Sequence, residues 1–183
     1  MKYLYIILGV LVLWGIYIFN RFVTLRNRSE EAWADIEVQL KRRYDLIPNL
    51  VNTVKGYASH EASTFDAVTK ARNQAMANQG PTKNHAEAEN MLTGALKSLF
   101  ALSEAYPELK ANTNFLELQR ELSDTENKIQ AARRFYNTNV RDLNTYIEQF
   151  PSNLFAKIFG FSSKEFFDLA DDDVAQKNVE VKF

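Results

Sequence analysis

A continuous apolar run near the start of the chain, residues 3–19, most constrains what this protein can be. The run, YLYIILGVLVLWGIYIF, contains no charged side chain. As a helix it rises about 25 Å, and Phe22 and Val23 extend the apolar stretch toward the roughly 30 Å of a bilayer core. A signal peptide would carry a small-residue cleavage site after such a run, but no A-x-A pattern follows this one. We therefore predict an uncleaved transmembrane anchor over residues 1–23.

Flanking cations predict the orientation of this anchor. Lys2 precedes the run, whereas Arg21, Arg26 and Arg28 follow it. Because Lys and Arg are enriched on the cytoplasmic side of a span, we expect an external N-terminus and a cytoplasmic body. The sequence contains no cysteine, which agrees with a reducing compartment.

The composition supplies few of the groups that enzymes use. The formal net charge is −1, so no strong field attracts nucleic acid, and the six Gly form no phosphate-binding motif. A di-metal carboxylate site in a helical bundle needs a Glu three residues before a His. Tyr57 and Thr82 stand at those positions relative to His60 and His85, the two His of the chain. We predict no catalytic, cofactor-binding or metal residues, and we place the two His in a loop and at a helix cap.

The body over residues 27–151 is predicted to be all-α, an elongated antiparallel four-helix bundle. Apolar residues recur at helical spacing over residues 32–58, and a second helix is expected over 61–78. Pro48 interrupts the first of these patterns. An interior Pro removes one backbone hydrogen bond, so we expect a bend near Tyr44 without a break.

The third and fourth helices have predicted start and stop signals. Asn84 and Asn114 are each followed three residues later by Glu, which is typical of helix N-caps. Pro107 and Pro151 should end the two helices. The fourth helix carries an unbroken 3.5-residue apolar repeat, which predicts coiled-coil-like packing along its length.

The C-terminal segment, residues 152–183, differs from the body in being aromatic at its start and acidic at its end. In and beside it lie Phe150, Phe155, Phe159, Phe161, Phe166 and Phe167. These rings either cover the open end of the bundle or lie at the membrane headgroups, where aromatics and Lys157 are favoured. The acidic stretch 168–173 and the residues after it are expected to fray.

Charged and amide side chains crowd the middle of the first and fourth predicted helices. They are Asp35, Glu37, Arg42, Arg43 and Asp45 on the first, and Glu126, Asn127, Arg133, Arg134 and Asn137 on the fourth. A catalytic carboxylate pair is one interpretation, and pairing between helices that sets their register is the favoured one. The basic triplet at 41–43 lies at helical spacing from Glu37 and Asp45, so we expect a solvated, paired face and no phosphate site. Trp33 is either a membrane-interface anchor or a core residue.

Two long stretches of the sequence resemble the LemA family. AWADIEVQLKRRYDLIPNLVNTVKGYASHE at 32–61 is similar to one family signature, and the stretch at 100–153 is similar to another. The resemblance covers nearly the whole chain. It implies a small bacterial membrane protein with one N-terminal span, a helical antiparallel bundle, no established enzymatic activity and no assigned catalytic residues. Family members beside an HtpX-type membrane metalloprotease or a TPM-domain protein imply envelope quality control, and a magnetosome member implies membrane shaping.

Together these features predict a membrane-anchored, non-enzymatic interaction scaffold, single-pass in the bacterial inner membrane. The expected partners are the lipid bilayer and further copies of the chain, because anchoring in one plane raises effective concentration. Gly9 and Gly15 do not form the GxxxG motif of span dimers. An adaptor or regulator of a membrane metalloprotease is the alternative, and a hydrolase that uses Glu126 is a third hypothesis. No cofactor is expected.

Overall fold

The computed structural model describes residues 2–167, and every regular element within that range is an α-helix. The helices are α1 (Lys2–Lys55), α2 (Ala62–Ala77), α3 (Lys83–Ala105), α4 (Pro107–Lys110), α5 (Thr113–Glu148) and α6 (Ser152–Phe159). The predicted all-α class with a long apolar N-terminal helix is confirmed. The four-helix bundle arrangement stays a prediction, and the predicted acidic tail lies outside the described residues.

The predicted anchor and the first helix of the body form one uninterrupted helix, α1. It contains 54 residues and includes Pro48 near its C-terminal end. Since Pro48 has no N–H, the carbonyl of Tyr44 loses its usual helical partner. The Nε–H of Arg72 on α2 donates to that carbonyl oxygen at 2.8 Å. This bond explains how the helix continues through a proline, and it ties α2 to α1.

The described residues divide into two compact units, and α1 and α5 contribute to both. The first unit contains residues 2–35 and 132–166, and the second contains residues 36–131 together with Phe167. The first unit is held together by a buried apolar cluster of Ile18, Phe22, Leu25, Leu143 and Ala156. Buried apolar residues of the second unit include Ile36, Leu40, Ile47, Leu50, Val54, Val68, Leu92, Leu99, Leu122 and Ile129. The domain boundaries expected from the sequence stay a prediction.

The caps of α3 and α5 lie two residues earlier than the sequence predicted. Thr82 accepts a hydrogen bond from the backbone amide three residues on at 3.3 Å, and Asn112 does the same at 2.9 Å. The predicted caps, Asn84 and Asn114, lie inside the helices, so this detail was wrong. Each site offers two capping side chains two residues apart, and the path of the preceding loop decides which one meets the free amides.

Candidate functional site

A charged cluster is buried in the second unit, centred on Arg43 of α1. The guanidinium forms ion pairs with Glu89 of α3 and with Glu126 of α5, the latter at 2.6 Å. The Arg43 and Glu89 side chains are 1% and 0% exposed, whereas Glu126 keeps 28% of its surface in water. Charge-assisted hydrogen bonds of this kind are about twice as strong as neutral ones. One arginine therefore ties three helices together.

Two further side chains contact Glu89 and close the cluster. The hydroxyl of Tyr44 donates to Glu89 Oε1, and His85 Nε2 lies 3.5 Å from the same oxygen. The other imidazole nitrogen, Nδ1, lies 2.9 Å from the carbonyl oxygen of Gly80, where it can only donate. The ring of Phe167 packs edge-on against the imidazole with centroids 5.6 Å apart. The Glu89 carboxylate is therefore surrounded by the side chains of Arg43, Tyr44 and His85.

Arg42 extends the pairing on the outer side of α1. Its guanidinium lies 2.5 Å from Glu121 and 3.9 Å from Asp124, both on α5. Lys128 and Arg42 hold the pKa of the Asp124 carboxyl below its ordinary value, chiefly through the Lys128 hydrogen bond. The predicted pairing between the first and fourth predicted helices is confirmed for Arg42, Arg43 and Glu126.

Both carboxylates of the cluster are engaged by Arg43. A general acid or base must reach the proton that it transfers, but Glu89 is fully buried and Glu126 is held by Arg43. Glu126 borders a surface groove of about 300 Å³ whose other lining residues include Thr93, Leu96 and Phe100. Within residues 2–167, no three His, Cys, Asp or Glu side chains converge as a metal ion requires.

Two of the sequence-based placements need correction, and a third is resolved. Arg43 was expected on a solvated face but is buried, because Glu89 and Glu126 compensate its charge inside the unit. His60 lies in the turn after α1 as expected, whereas His85 is a buried residue of the first turn of α3, beyond the cap. Trp33 packs edge-on against buried Tyr136 with centroids 5.5 Å apart, which favours the core interpretation.

The sequence reasoning missed Glu89, although two signals for it were present. It stands four residues after His85 and three before Leu92, so it occupies the same helical face as buried residues of α3. Arg43 likewise stands in step with Leu40 and Ile47 on the apolar stripe of α1. Opposite charges at stripe positions of two different helices indicate a buried ion pair.

Burial raises the pKa of four tyrosines, Tyr44, Tyr106, Tyr136 and Tyr146. The pKa of Tyr44 rises to about 12, with the charge of Arg43 opposing the shift. The pKa of Tyr136 also rises to about 12, through burial and then the charge of Glu165. The Tyr136 hydroxyl donates to the backbone carbonyl oxygen of Glu165 at 3.0 Å.

Tyr44 and Tyr136 are expected to deprotonate late in a pH titration of the folded protein. A raised pKa favours the neutral form in the folded state. The stability that the buried neutral phenols contribute is therefore complete below the unfolded pKa of about 10, and it is lost as pH rises through about 12. The ultraviolet absorbance of tyrosinate, followed against pH, should show a late phase that Tyr44→Phe and Tyr136→Phe each reduce. In urea the late phase should vanish, and a single common transition in the folded protein would contradict the burial argument.

The fold and the cluster define a class of protein: an all-helical chain with an internally paired body and one helix fit to cross a membrane. In the described part of the chain α1 alone is long and apolar enough for a span, and only 11% of its most apolar stretch is buried. Residues 32–183 match the LemA family, and the chain belongs to that family.

Named relatives share a quarter of their aligned residues with this chain. Magnetosome protein MamQ of Magnetospirillum gryphiswaldense is 25% identical over 174 residues, covering 81% of this chain and 64% of the relative. Magnetosome protein MamQ 2 of Paramagnetospirillum magneticum gives the same identity and coverage. Protein LemA of Metamycoplasma hominis is 25% identical over 156 residues, covering 84% of this chain and 71% of the relative. The chain thus spans less than two thirds of the MamQ proteins. These names assign no enzymatic activity, and with the candidate span they fit a membrane-associated protein.

Proposed function

We propose that this chain is a membrane-anchored, non-enzymatic scaffold that self-associates in the plane of the bacterial inner membrane. One observation carries the proposal: over residues 3–17, α1 is apolar all round and its large side chains are exposed. Their exposed fractions range from 42% at Trp14 to 82% at Tyr3. A helix that is hydrophobic all round needs an apolar environment on all sides. Lipid supplies that environment.

The cations that follow the apolar stretch support a body on the cytoplasmic side. Arg21, Arg26 and Arg28 are exposed on the same helix. A cluster of arginines close to one end of a span favours retention of that end in the cytoplasm. This is the orientation that we assign to the chain, with the N-terminus outside.

The charged groups of the second unit support a non-enzymatic role. Arg42, Arg43 and Glu89 are used in contacts between helices, which leaves them to position the body and not to act on a substrate. Relatives of the chain bear the name magnetosome protein. Membrane organisation or envelope maintenance is the biological role that we extend from them to this chain.

Self-association is supported by the geometry of anchoring. Confinement to one plane strengthens weak lateral contacts, because it raises the effective concentration of neighbouring copies. Exposed apolar side chains on the body could form such contacts. They include Val38, Met91, Leu116 and Phe135.

Crosslinking in native membranes tests self-association. A short amine-reactive reagent, applied at the natural level of the protein, should trap dimers and larger multimers. The same amount of protein in detergent micelles is the matched control, where the multimer fraction should fall about tenfold or more because the planar concentration is lost. A strict monomer in the membrane would refute the self-association.

A further inference from the structure

The chain turns back on itself after α5 and lays aromatic rings against the apolar part of α1. We call residues 149–161 the aromatic hairpin; it contains the turn after α5, helix α6 and the two residues that follow. Phe155 packs edge-on against Trp14 with centroids 5.8 Å apart, and Phe159 packs against Phe19 at 5.1 Å. Neither interpretation of the sequence included this contact with the anchor.

These contacts set the depth of the aromatic hairpin relative to the cations of α1. Trp14 precedes Arg21 by seven residues, which is about 10 Å along a helix axis. A Cβ placed on Gly15 would lie 3.4 Å from the ring of Phe155, so the ring reaches the backbone of α1 at that depth. If the apolar run lies in the bilayer, Phe155 therefore lies in it too, well inside one leaflet of a roughly 30 Å core.

The hairpin is apolar on the side that faces away from α1 as well. Phe150 is 80% exposed, Leu154 51% and Ile158 75%. Large apolar residues on both sides of a short helix are unfavourable in water, while lipid accommodates them. Lys157 is the exposed cation of α6, and its long stem can carry the ammonium to the headgroups.

Internal hydrogen bonds satisfy several backbone groups at the turns of the hairpin, and a location in lipid favours such bonds. Unsatisfied backbone groups cost several kcal/mol in hydrocarbon. The Ser152 hydroxyl lies 2.6 Å from the carbonyl oxygen of Tyr146, at the end of α5. The bonds of the turns are Asn153 N to Gln149 O at 2.7 Å, Leu154 N to Pro151 O at 3.2 Å and Phe161 N to Ala156 O at 2.9 Å. Pro151 itself has no N–H to satisfy.

The aromatic hairpin ends at the level of the charged residues Arg26 and Glu30 of α1. Gly160 has φ 72°, a left-handed conformation that ends α6 and leads to Phe161. The ring of Phe161 stacks on Phe22 at 4.6 Å and lies 5.9 Å from the guanidinium of Arg26. Three residues later, Lys164 pairs with Glu30 at 3.3 Å. The chain therefore leaves the apolar zone at the level of the cations that follow the span.

We propose that the aromatic hairpin is a re-entrant, lipid-inserted element that enters the leaflet next to the body. Its inner rings pack on the span, and Phe150, Leu154 and Ile158 contact acyl chains. The protein then holds the membrane by two elements, a full span and a half-depth hairpin. This proposal rests on the membrane anchoring proposed above.

Lipid-borne quenchers test the insertion in the full chain. Because the sequence has no cysteine, single cysteines can be introduced without background labelling. The variants are Ile158→Cys in the hairpin, Leu8→Cys in the span and Ser63→Cys at an exposed position of α2. Each variant is labelled with a nitrobenzoxadiazole fluorophore and placed in phosphatidylcholine–phosphatidylglycerol vesicles. Spin-labelled phosphatidylcholine carries its quencher near the glycerol or deep in the acyl chain.

The emission of the fluorophore at position 158 is expected to fall about twofold or more. The quencher near the glycerol should act more strongly than the one deep in the acyl chain. The span fluorophore should also be quenched, and the one on α2 should not. Quenching at Leu8 with none at Ile158 would overturn the hairpin while leaving the anchor intact. No quenching at Leu8 would overturn the anchor and the hairpin together. Ile158 is exposed, so its substitution does not disturb packing, and Leu154→Cys provides a second hairpin position.

Discussion

Replacing Arg43 by methionine should lower the free energy of unfolding by about 3–5 kcal/mol, the usual effect of removing one partner from a buried ion pair. Arg43 neutralises Glu89, which is fully buried, and also binds Glu126. Without the guanidinium, the Glu89 carboxylate loses its ion-pair partner in a low-dielectric interior, where Tyr44 and the His85 ring lie beside it. Thermal unfolding of the full chain in detergent, followed by circular dichroism, should show a midpoint lower by about 6–20 °C.

Two control variants distinguish the effect of breaking a buried ion pair from the effect of removing any arginine. Arg42→Met removes a neighbouring arginine whose side chain is 40% exposed, and exposed pairs contribute at most about 1 kcal/mol. The double variant Arg43→Met with Glu89→Leu removes both charges and should recover part of the lost stability. Equal losses for Arg42→Met and Arg43→Met would contradict the assignment of the buried cluster.

Placing two arginines in the apolar run should detach the protein from the membrane. In the double variant Val10→Arg with Val12→Arg, each arginine costs about 2.5–3.5 kcal/mol near the centre of a span. A combined cost of about 5–7 kcal/mol lowers partition into lipid by roughly 10⁴-fold. Fractionation after an alkaline carbonate wash should move the protein from the membrane pellet to the supernatant.

Val38→Arg is the matched control for this experiment. Val38 lies on the same helix, and its exposed fraction of 63% is close to the 56% of Val12. The same chemical change outside the apolar run should leave the protein in the pellet. Retention of the double variant in the membrane would show that another part of the chain holds it there, and the aromatic hairpin is the first candidate.

Local signals in the sequence were sufficient for the long helices and for most of their limits, but not for the short helices α4 and α6. The breaks at Gly80-Pro81, Pro107 and Pro151 coincide with the ends of helices or the gaps between them, because Pro and Gly act on their own backbone. Helical periodicity and uninterrupted apolarity are also properties of neighbouring residues. The capping residues are an intermediate case. The sequence analysis named Asn84 and Asn114, whereas the structure places Thr82 and Asn112 at the free amides.

By itself, the sequence determined an all-helical chain with an apolar run fit for a membrane, since both depend on residues close together along the chain. The tertiary structure decided which charges are buried and where the aromatic residues go. Arg43 was predicted on a solvated face, and the structure instead buries it against Glu89, which is 46 positions away in the chain. The sequence left Phe155 either at the end of the bundle or at the membrane headgroups, and the turn after α5 places its ring against Trp14. Whether a charge is buried, and how deep a residue lies in a membrane, depend on contacts between residues that are far apart in the chain. Patterns among neighbouring residues do not show which distant residues meet.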